Sequence, residues 1–295
     1  MKFDVCKPVV SVIIPIFDQW DLVSGLFDAL SNQTLANEKW EVILVDNGSD
    51  YIPDIEELDY KISLFCCEKP GSYSARNFGV NESQGELLVF TDADCVPEPS
   101  WLESIYFKYL ECEGKFLMAG DVIVDKVSNT TPNIVELFDM LTGLPQSRYV
   151  DKGYAVTANL SIPRKVYDSV GGFDETRFSG GDAVFCREAT SKPGVELHFL
   201  SEAVVHHPAR TRWSEIATKV RRVKGGQIRS GSIKRRLKFL IITVVPPFWK
   251  IYRIVISDRV SLAQKLKICC FQLLLWFFEL YETALLLLGK SPERR

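Results

Sequence analysis

The stretch Thr91-Asp92-Ala93-Asp94-Cys95 places two carboxylates two residues apart, directly after the apolar run Glu86-Leu87-Leu88-Val89-Phe90. Bounded by Gly85 and by Pro97 and Pro99, that run reads as a buried strand. The acid pair then stands where a strand leaves its sheet, which is where open α/β sheets bind ligands. Two hard anionic oxygens on one short turn suit a divalent cation shared with phosphate, Mg²⁺ or Mn²⁺. Asp-x-Asp is also a common solvated turn, and the pair alone leaves both readings open.

Holding such a turn requires a framework, and the first half of the 295-residue chain alternates strand and helix signals. Residues 9–14 are a β-branched run closed by Pro15, and residues 20–30 repeat Leu22, Val23, Leu26, Phe27 and Leu30 at a helical period. Residues 41–45 form a second strand ending in the turn-rich Asp46-Asn47-Gly48-Ser49-Asp50. Residues 62–66 read as a third strand, and residues 72–81 as a helix with Gly71 breaking the chain before it. This order predicts a mostly parallel, doubly wound α/β sheet with ligands at the carboxyl ends of its strands. Further on, residues 116–124, 154–162 and 195–205 read as strands, and 163–170 and 182–189 as helices.

Apolar residues make up 46% and charged residues 25% of the chain, ordinary values for a globular protein. The net charge of −3 hides an uneven distribution. The segment from Arg210 to Lys238 is dense in Arg and Lys and holds one acid, Glu215, which predicts an anionic partner: phosphate, nucleic acid or lipid headgroups. Its aromatics are too few for stacking platforms, so a nucleic-acid partner is not expected. Eight cysteines include the adjacent pairs Cys66-Cys67 and Cys269-Cys270 but no C-x-x-C spacing, which argues against zinc and for free thiols in a reducing compartment. Met1-Lys2-Phe3-Asp4 has no apolar h-region, so no secretory signal is expected.

From about Leu237 the composition changes. Residues 237–256 are apolar but broken by Pro246-Pro247, and residues 268–288 are long enough, at roughly 20 residues, to cross a bilayer. At about 100° per residue, Lys265, Gln272, Glu279, Glu282 and Thr283 fall on one narrow face, leaving Trp276, Phe277 and Phe278 on the wide apolar face. Such a helix fits lying in a membrane surface better than spanning it; packing on the rest of the chain or on a partner is the other reading.

Three further runs surround the aspartate pair. Val9-Val10-Ser11-Val12-Ile13-Ile14-Pro15-Ile16-Phe17-Asp18 opens the domain, Val42-Ile43-Leu44-Val45-Asp46-Asn47-Gly48-Ser49 closes the second strand, and Gly71-Ser72-Tyr73-Ser74-Ala75-Arg76-Asn77 precedes Gly85 to Asp94. In this order and spacing they resemble family 2 glycosyltransferases of the GT-A fold, over roughly residues 9–225. The resemblance implies a GT-A, Rossmann-like α/β fold: a mixed, mostly parallel sheet flanked by helices, with a C-terminal amphipathic helical extension. It implies a catalytic domain over residues 1–230, followed by a membrane-associating extension over 231–295.

The resemblance also implies roles. Asp46 matches the acid that hydrogen-bonds the nucleobase of a sugar-nucleotide donor, which favours UDP- or dTDP-type donors. Pro15, Asp18, Arg76 and Asp92 fall on the donor side. Asp94 looks like the direct ligand of Mn²⁺ or Mg²⁺, with Asp92 beside it, and His207 matches a histidine that completes the metal shell or touches the diphosphate. Arg210 and Arg212 would lie near that diphosphate, and the other basic residues near lipid headgroups. Ser179-Gly180-Gly181-Asp182, followed by Phe185-Cys186-Arg187, resembles the acceptor-side motif in which an acid begins a helix. The family more often carries Glu-Asp there, so Gly181-Asp182 leaves Asp182 as the one acid of the pair and the candidate general base. Asn159 and Asp174 are weaker candidates for sugar contacts.

The expected activity is inverting, metal-dependent transfer of a sugar from a nucleotide-sugar donor to a lipid-linked glycan or polysaccharide in envelope biosynthesis. The expected location is cytoplasmic, peripheral to the membrane face. The alternative is a catalytically degenerate, sugar-nucleotide-binding membrane scaffold. A dehydrogenase is excluded by the lack of G-x-G-x-x-G after any strand, and a nucleotidyltransferase by the lack of a basic, glycine-rich loop after the first.

Overall fold

A computed structural model describes residues 7–55, 57–127, 129–177 and 179–293; Met1 to Asp4, which carry the expectation about a secretory signal, lie outside these residues. In chain order the elements are β1 (Val10–Ile16), α1 (Val23–Ser31), β2 (Trp40–Asp46), β3 (Ile62–Cys66), α2 (Ser72–Glu82), β4 (Leu87–Thr91) and β5 (Val96–Pro97). Then come α3 (Trp101–Glu111), β6 (Phe116–Asp125), α4 (Ile134–Thr142), α5 (Gln146–Val150), β7 (Asn159–Pro163), α6 (Arg164–Val170), α7 (Gly181–Thr190) and β8 (Glu196–Pro208). Helices α8 (Trp213–Arg229), α9 (Ile233–Val244), α10 (Phe248–Ile256) and α11 (Leu262–Leu287) close the chain. The strands form one eight-stranded mixed sheet in the order β3-β2-β1-β4-β7-β6-β8-β5.

The parallel part of the sheet is its first four strands, in the order 3-2-1-4. From β4 onward the pairings β4–β7, β7–β6 and β8–β5 are antiparallel. The unbroken apolar runs of the sequence have a simple cause, burial on both faces. Val10, Val12, Ile14 and Ile16 of β1 enter one core with Val42 and Leu44 of β2 and Leu87 and Val89 of β4. The alternate residues Ile13, Ile43, Val45, Leu88 and Phe90 enter a second core. Helix α2 packs closely over β1 and β2 because Gly79 has no side chain; a Cβ there would come within 2.8 Å of Ile13 and 3.0 Å of Val45.

Several boundaries differ from the sequence reading. β1 runs through Pro15 to Ile16, since its pairing with β4 ends at Ile13 and a residue without an N–H is tolerated beyond that point. Trp20 stands outside α1, its indole bonded elsewhere. Residues 154–158 are not strand, and β8 extends to include His206, His207 and Pro208. Residues 101–111, 134–142, 146–150 and 213–229, given no element from the sequence, are helical.

The chain divides into two compact units. One comprises residues up to Ile123, Leu144–Thr176 and Gly181–His207; the other comprises Val124–Gly143, Arg177–Gly180 and Pro208 onward. The second unit has its own core, where Val135 and Phe138 of α4 meet Ile216 and Val220 of α8, Ile254 of α10 and Ile268, Phe271 and Leu275 of α11. Helices α9 and α10 are bent by 57° at the Pro246-Pro247 break.

Within this unit α11 buries polar side chains alongside Ile268, Phe271, Leu275 and Leu286 and leaves other apolar residues exposed. Gln272 and Glu282, on its polar face, are 1% and 2% exposed, whereas Leu266 and Phe277, on its apolar face, are 68% and 60% exposed. The inward acids are paired: Lys224 of α8 lies 2.9 Å from Glu279, and Glu282 takes Arg221 at 3.0 Å and Lys290 at 2.8 Å. Burial works to raise the pKa values of Glu279 and Glu282, but these cations outweigh it and hold both below the ordinary glutamate range. Two of the three expected outward aromatics turn in instead. Trp276 donates its indole N–H to the Thr243 carbonyl at 2.8 Å, and Phe278 packs edge-on against Trp213. The basic segment is likewise spent in part on the fold. Arg210 and Lys219 face the buried Asp139 at 3.0 and 3.7 Å, and Lys219 is pushed down to about 8, first by burial and then by Arg210.

Removing one side of such a pair leaves a buried charge alone. Glu279→Ala should destabilise the protein by about 3 kcal/mol, read as a lower urea midpoint. Lys224→Met combined with Glu279→Leu should recover most of that loss.

Candidate active site

The site lies in the first unit, at the carboxyl ends of the parallel strands. β2 ends on Asp46, and its carboxylate closes the turn that follows: Oδ1 accepts the Gly48 and Ser49 N–H groups at 2.9 and 3.0 Å. Oδ2 accepts the Trp20 indole N–H at 3.0 Å. Burial alone would raise the Asp46 pKa; the bonds from Ser49, Trp20 and Gly48 outweigh it and hold the carboxyl below its ordinary value. Asp46 is therefore foremost a turn cap, with one acceptor position left on Oδ2. Asp18, in a left-handed backbone conformation with φ of 50°, joins the loops after β1 and β2: its N–H donates to Ser49 Oγ at 2.9 Å and its Oδ1 accepts from the Asp50 N–H at 3.0 Å. Pro15, two residues before the loop, is a half-buried strand residue.

Helix α2 carries three residues on one face, at i, i+3 and i+4: Tyr73, Arg76 and Asn77. Arg76 is buried, and its Nη2 reaches Asp92 Oδ1 at 2.5 Å. The guanidinium expected on the donor side holds Asp92, another residue expected there. Asn77 donates to the Phe173 carbonyl and to Glu175, and accepts from the Phe173 N–H and the Tyr167 hydroxyl. It thereby fixes the loop before α7. Asp174 lies on that loop, where its Oδ1 accepts from the N–H and hydroxyl of Thr176, an ordinary Asx turn.

Asp92 and Asp94 sit on the turn between β4 and β5, closed by the Cys95 N–H bond to the Asp92 carbonyl at 3.1 Å. Asp94 Oδ2 is 3.5 Å from Nε2 of the buried His207 on β8. His206, which points to the opposite side of the strand, lies 3.3 Å from Glu98 instead. Among the described residues no group of three or more His, Cys, Asp and Glu side chains converges as a metal cage. A carboxylate and an imidazole nitrogen facing each other still fit a divalent ion that takes its remaining ligands from substrate phosphates and water. With Asp92 engaged by Arg76, Asp94 is the better ligand of the two acids.

Asp182 opens α7, where its Oδ1 accepts the Ala183 N–H at 2.8 Å and the Tyr73 hydroxyl at 3.2 Å. Burial raises its pKa; the Ala183 N–H, Arg76 and Tyr73 pull the other way, while Asp92 adds to the rise. Tyr154 and Cys186 also feel its charge, which raises both of their pKa values. An acid held above its ordinary pKa at a helix start is suited to accept a proton near neutral pH.

Asn159 is not part of this site. It is fully buried between β6, β8 and α3, with Oδ1 accepting from the Trp101 indole at 3.0 Å and Nδ2 donating to the Asp121 and Ala203 carbonyls at 2.8 and 2.9 Å. The expected sugar contact is corrected to a sheet-bridging role. Tyr73 and Asn77 lie within the Gly71 to Asn77 run, but their partners, Asp182 and Phe173, lie about a hundred residues further along the chain.

Residues 11–189 match the family model for glycosyl transferase family 2. The chain is 33% identical over 243 residues to glycosyltransferase AglE of Haloferax volcanii, covering 77% of this chain and 76% of that protein. The mannosyltransferase PcManGT of Pyrobaculum calidifontis, solved with GDP-Man and Mn²⁺, superimposes with a TM-score of 0.59 at 16% identity, over 97% of this chain and 88% of that one. TarS 1-349 of S. aureus, solved with UDP-GlcNAc, gives 0.52 at 16% identity, over 90% and 71% of the two chains. These structures share the fold.

Asn159→Ala would strand one buried donor and two carbonyls. A loss of about 2–4 kcal/mol is expected from urea unfolding, with an unchanged donor KM in whatever fraction remains folded.

Proposed function

The chain belongs to glycosyl transferase family 2 and is a glycosyltransferase; from that premise we propose inverting, metal-dependent transfer from a UDP- or dTDP-type sugar nucleotide to a lipid-linked or polysaccharide hydroxyl. The observation that carries this reading is the linked set Asp182–Tyr73 and Arg76–Asp92, with Asp94 facing His207, at the carboxyl ends of the parallel strands of one mixed sheet.

In this proposal the loops after β1 and β2, joined through Asp18 and Ser49, frame the nucleoside, with Pro15 at the base of the first loop. The remaining acceptor position of Asp46 takes a base N–H, which selects a uracil- or thymine-like edge. Asp94 and His207 would hold a divalent cation, which supplies Lewis-acid stabilisation to the leaving diphosphate. Asp92, held by Arg76, lies beside them for the ribose or the metal's outer ligands. Asp182 takes the proton of the acceptor hydroxyl as that oxygen attacks the anomeric carbon from the face opposite the diphosphate. Asp174 stays a candidate for the acceptor's sugar. Residues 1–230 carry this chemistry.

Residues 231–295 supply the membrane contact. Ile241, Phe248, Trp249, Leu266 and Phe277 are all exposed on α9, α10 and α11, and Lys234, Lys238, Lys250, Arg259 and Lys267 are exposed on or beside the same helices. An apolar surface with cations around it suits the interface of an anionic bilayer. α11 is long and apolar enough to cross. Crossing would carry Glu279, Glu282 and the charged helix α8 paired with them into hydrocarbon, at about 2.5–3.5 kcal/mol for each central charge. Lying in the surface keeps those pairs on the protein side. Free thiols at the described cysteines fit a cytoplasmic location.

The test of activity is a donor panel (UDP-glucose, UDP-GlcNAc, dTDP-glucose and GDP-mannose) with and without Mn²⁺, read as thermal shift and nucleoside diphosphate release. The wild-type chain should be stabilised by one donor in a metal-dependent manner, and Asp94→Asn should lose the metal-dependent part. Asp182→Asn should keep the shift while turnover falls about 10²-fold or more. The base works deprotonated, so the wild-type rate should fall with decreasing pH through a limb above the ordinary Asp value of about 3.9. Donor binding without any turnover in the wild-type chain would favour the degenerate scaffold.

For the membrane contact, the full chain should float with vesicles containing phosphatidylglycerol. Trp249→Asp with Phe277→Asp, both at exposed positions, should leave it at the bottom of the gradient with an unchanged melting temperature. Failure of the wild-type chain to float would count against the membrane reading.

A further inference from the structure

We propose that Tyr73 is a positioning residue for Asp182, which fixes one oxygen of that carboxylate and leaves the other to accept the proton; this rests on the glycosyl-transfer reading above. A tyrosine hydroxyl has one donor and two acceptor positions, and here all three are directed at the start of α7. It accepts from the Gly181 N–H at 2.9 Å and the Asp182 N–H at 3.2 Å, and it donates to Asp182 Oδ1 at 3.2 Å. A single oxygen thus holds both the first turn of the helix and the acid that stands on it.

The remaining bonds of Asp182 define which atom does the chemistry. The Ala183 N–H also goes to Oδ1, at 2.8 Å. Among the described residues no hydrogen bond is made to Oδ2, so that oxygen is the one available to a sugar hydroxyl. A carboxylate free to rotate would present either oxygen, or neither, to the acceptor. Two donors on Oδ1 remove that freedom, and catalytic geometry depends on such restraint.

Tyr73 is itself held. Its ring is buried against Phe173, with centroids 5.6 Å apart, and the Arg76 guanidinium lies 5.8 Å from its centre. Burial pushes its phenol well above the ordinary range, so it remains a hydrogen-bond donor throughout the working pH range. Gly181 completes the fit. A Cβ at position 181 would lie 2.6 Å from the Tyr73 ring, so the ring occupies the space where a side chain at 181 would begin. The glycine beside Asp182, unusual for the resemblance noted in the sequence, is the counterpart of the aromatic residue at 73. The same α2 face holds Asp92 through Arg76, so one helix sets both the acceptor-side acid and the donor-side acid.

The test measures nucleoside diphosphate release by the full chain, on whichever of the four donors it cleaves with Mn²⁺. Wild type, Tyr73→Phe, Asp182→Asn and the double variant are compared, each with its donor-induced thermal shift. Tyr73→Phe keeps the buried ring and removes only the hydroxyl. Its kcat should fall on the order of tenfold, with donor KM and thermal shift unchanged. The double variant should be no slower than Asp182→Asn alone, because both changes act through one carboxylate. Gly181→Ala probes the same contact from the other side and should also lower kcat with KM kept, since its methyl must displace the ring. Wild-type kcat in Tyr73→Phe, or losses that multiply in the double variant, would overturn the proposal. So would loss of donor binding in Tyr73→Phe. A wild-type chain that cleaves no donor would overturn the glycosyl-transfer reading itself.

Discussion

A buried guanidinium among carboxylates is the interaction on which the catalytic unit depends. Asp92 raises the cost of ionising Asp182, and Arg76, paired with Asp92, is a cation that offsets it. Arg76 itself is buried while Asp92 keeps contact with solvent, so the pair fixes the Asp92 carboxylate without sealing it off. The position of Arg76 follows from the helix that carries it. α2 can approach β1 and β2 closely because Gly79 leaves room for Ile13 and Val45. Tyr73, Arg76 and Asn77 then face the catalytic side together, at helical spacing. One reaches the start of α7, one reaches the Asp-x-Asp turn, and one ties down the loop between α6 and α7.

The acids of the site consequently fall into two classes. Asp46 and Asp92 are engaged by protein donors and serve as fixed points. Asp182 takes two donors on Oδ1 and, among the described residues, none on Oδ2, which suits a base, while Asp94 faces His207, which suits a shared metal. A carboxylate too well satisfied by its own protein is a poor proton acceptor, and one with no partner would not remain in place.

The second unit solves the opposite problem. Around an apolar core it also buries paired charges, and it leaves many large apolar side chains outside. Lys224, Glu279, Arg221 and Glu282 satisfy one another within the helical packing, while Leu266, Phe277 and Trp249 are exposed. In water such an arrangement leaves a large apolar area unfavourably hydrated. Against lipid the same arrangement is stable, because the charges that would be costly in hydrocarbon are already paired on the side away from it.

The parallel strands, the acids at their ends and the family were legible in the sequence, because each is written in local runs. Apolar runs such as Val42–Val45 and Leu87–Phe90 carry the signal of burial on both faces. Turn residues mark where those strands stop. Roles that depend on partners were not legible. Asn159 and Asp182 are both polar residues at element boundaries, yet one is bonded on all sides by strands and Trp101, and the other keeps an open oxygen. Tyr73 carried no local signal, since its partner lies 109 residues away. The period of α11 revealed two faces but not which one is buried, because periodicity fixes the angle between residues and says nothing of the neighbour they meet. The sequence by itself therefore determined the strands, the turns and the kinds of chemistry on offer. Which oxygen stays open, which cation is consumed and which face turns outward were decided by tertiary packing, because hydrogen bonds and burial belong to pairs of distant residues and not to any one stretch of chain.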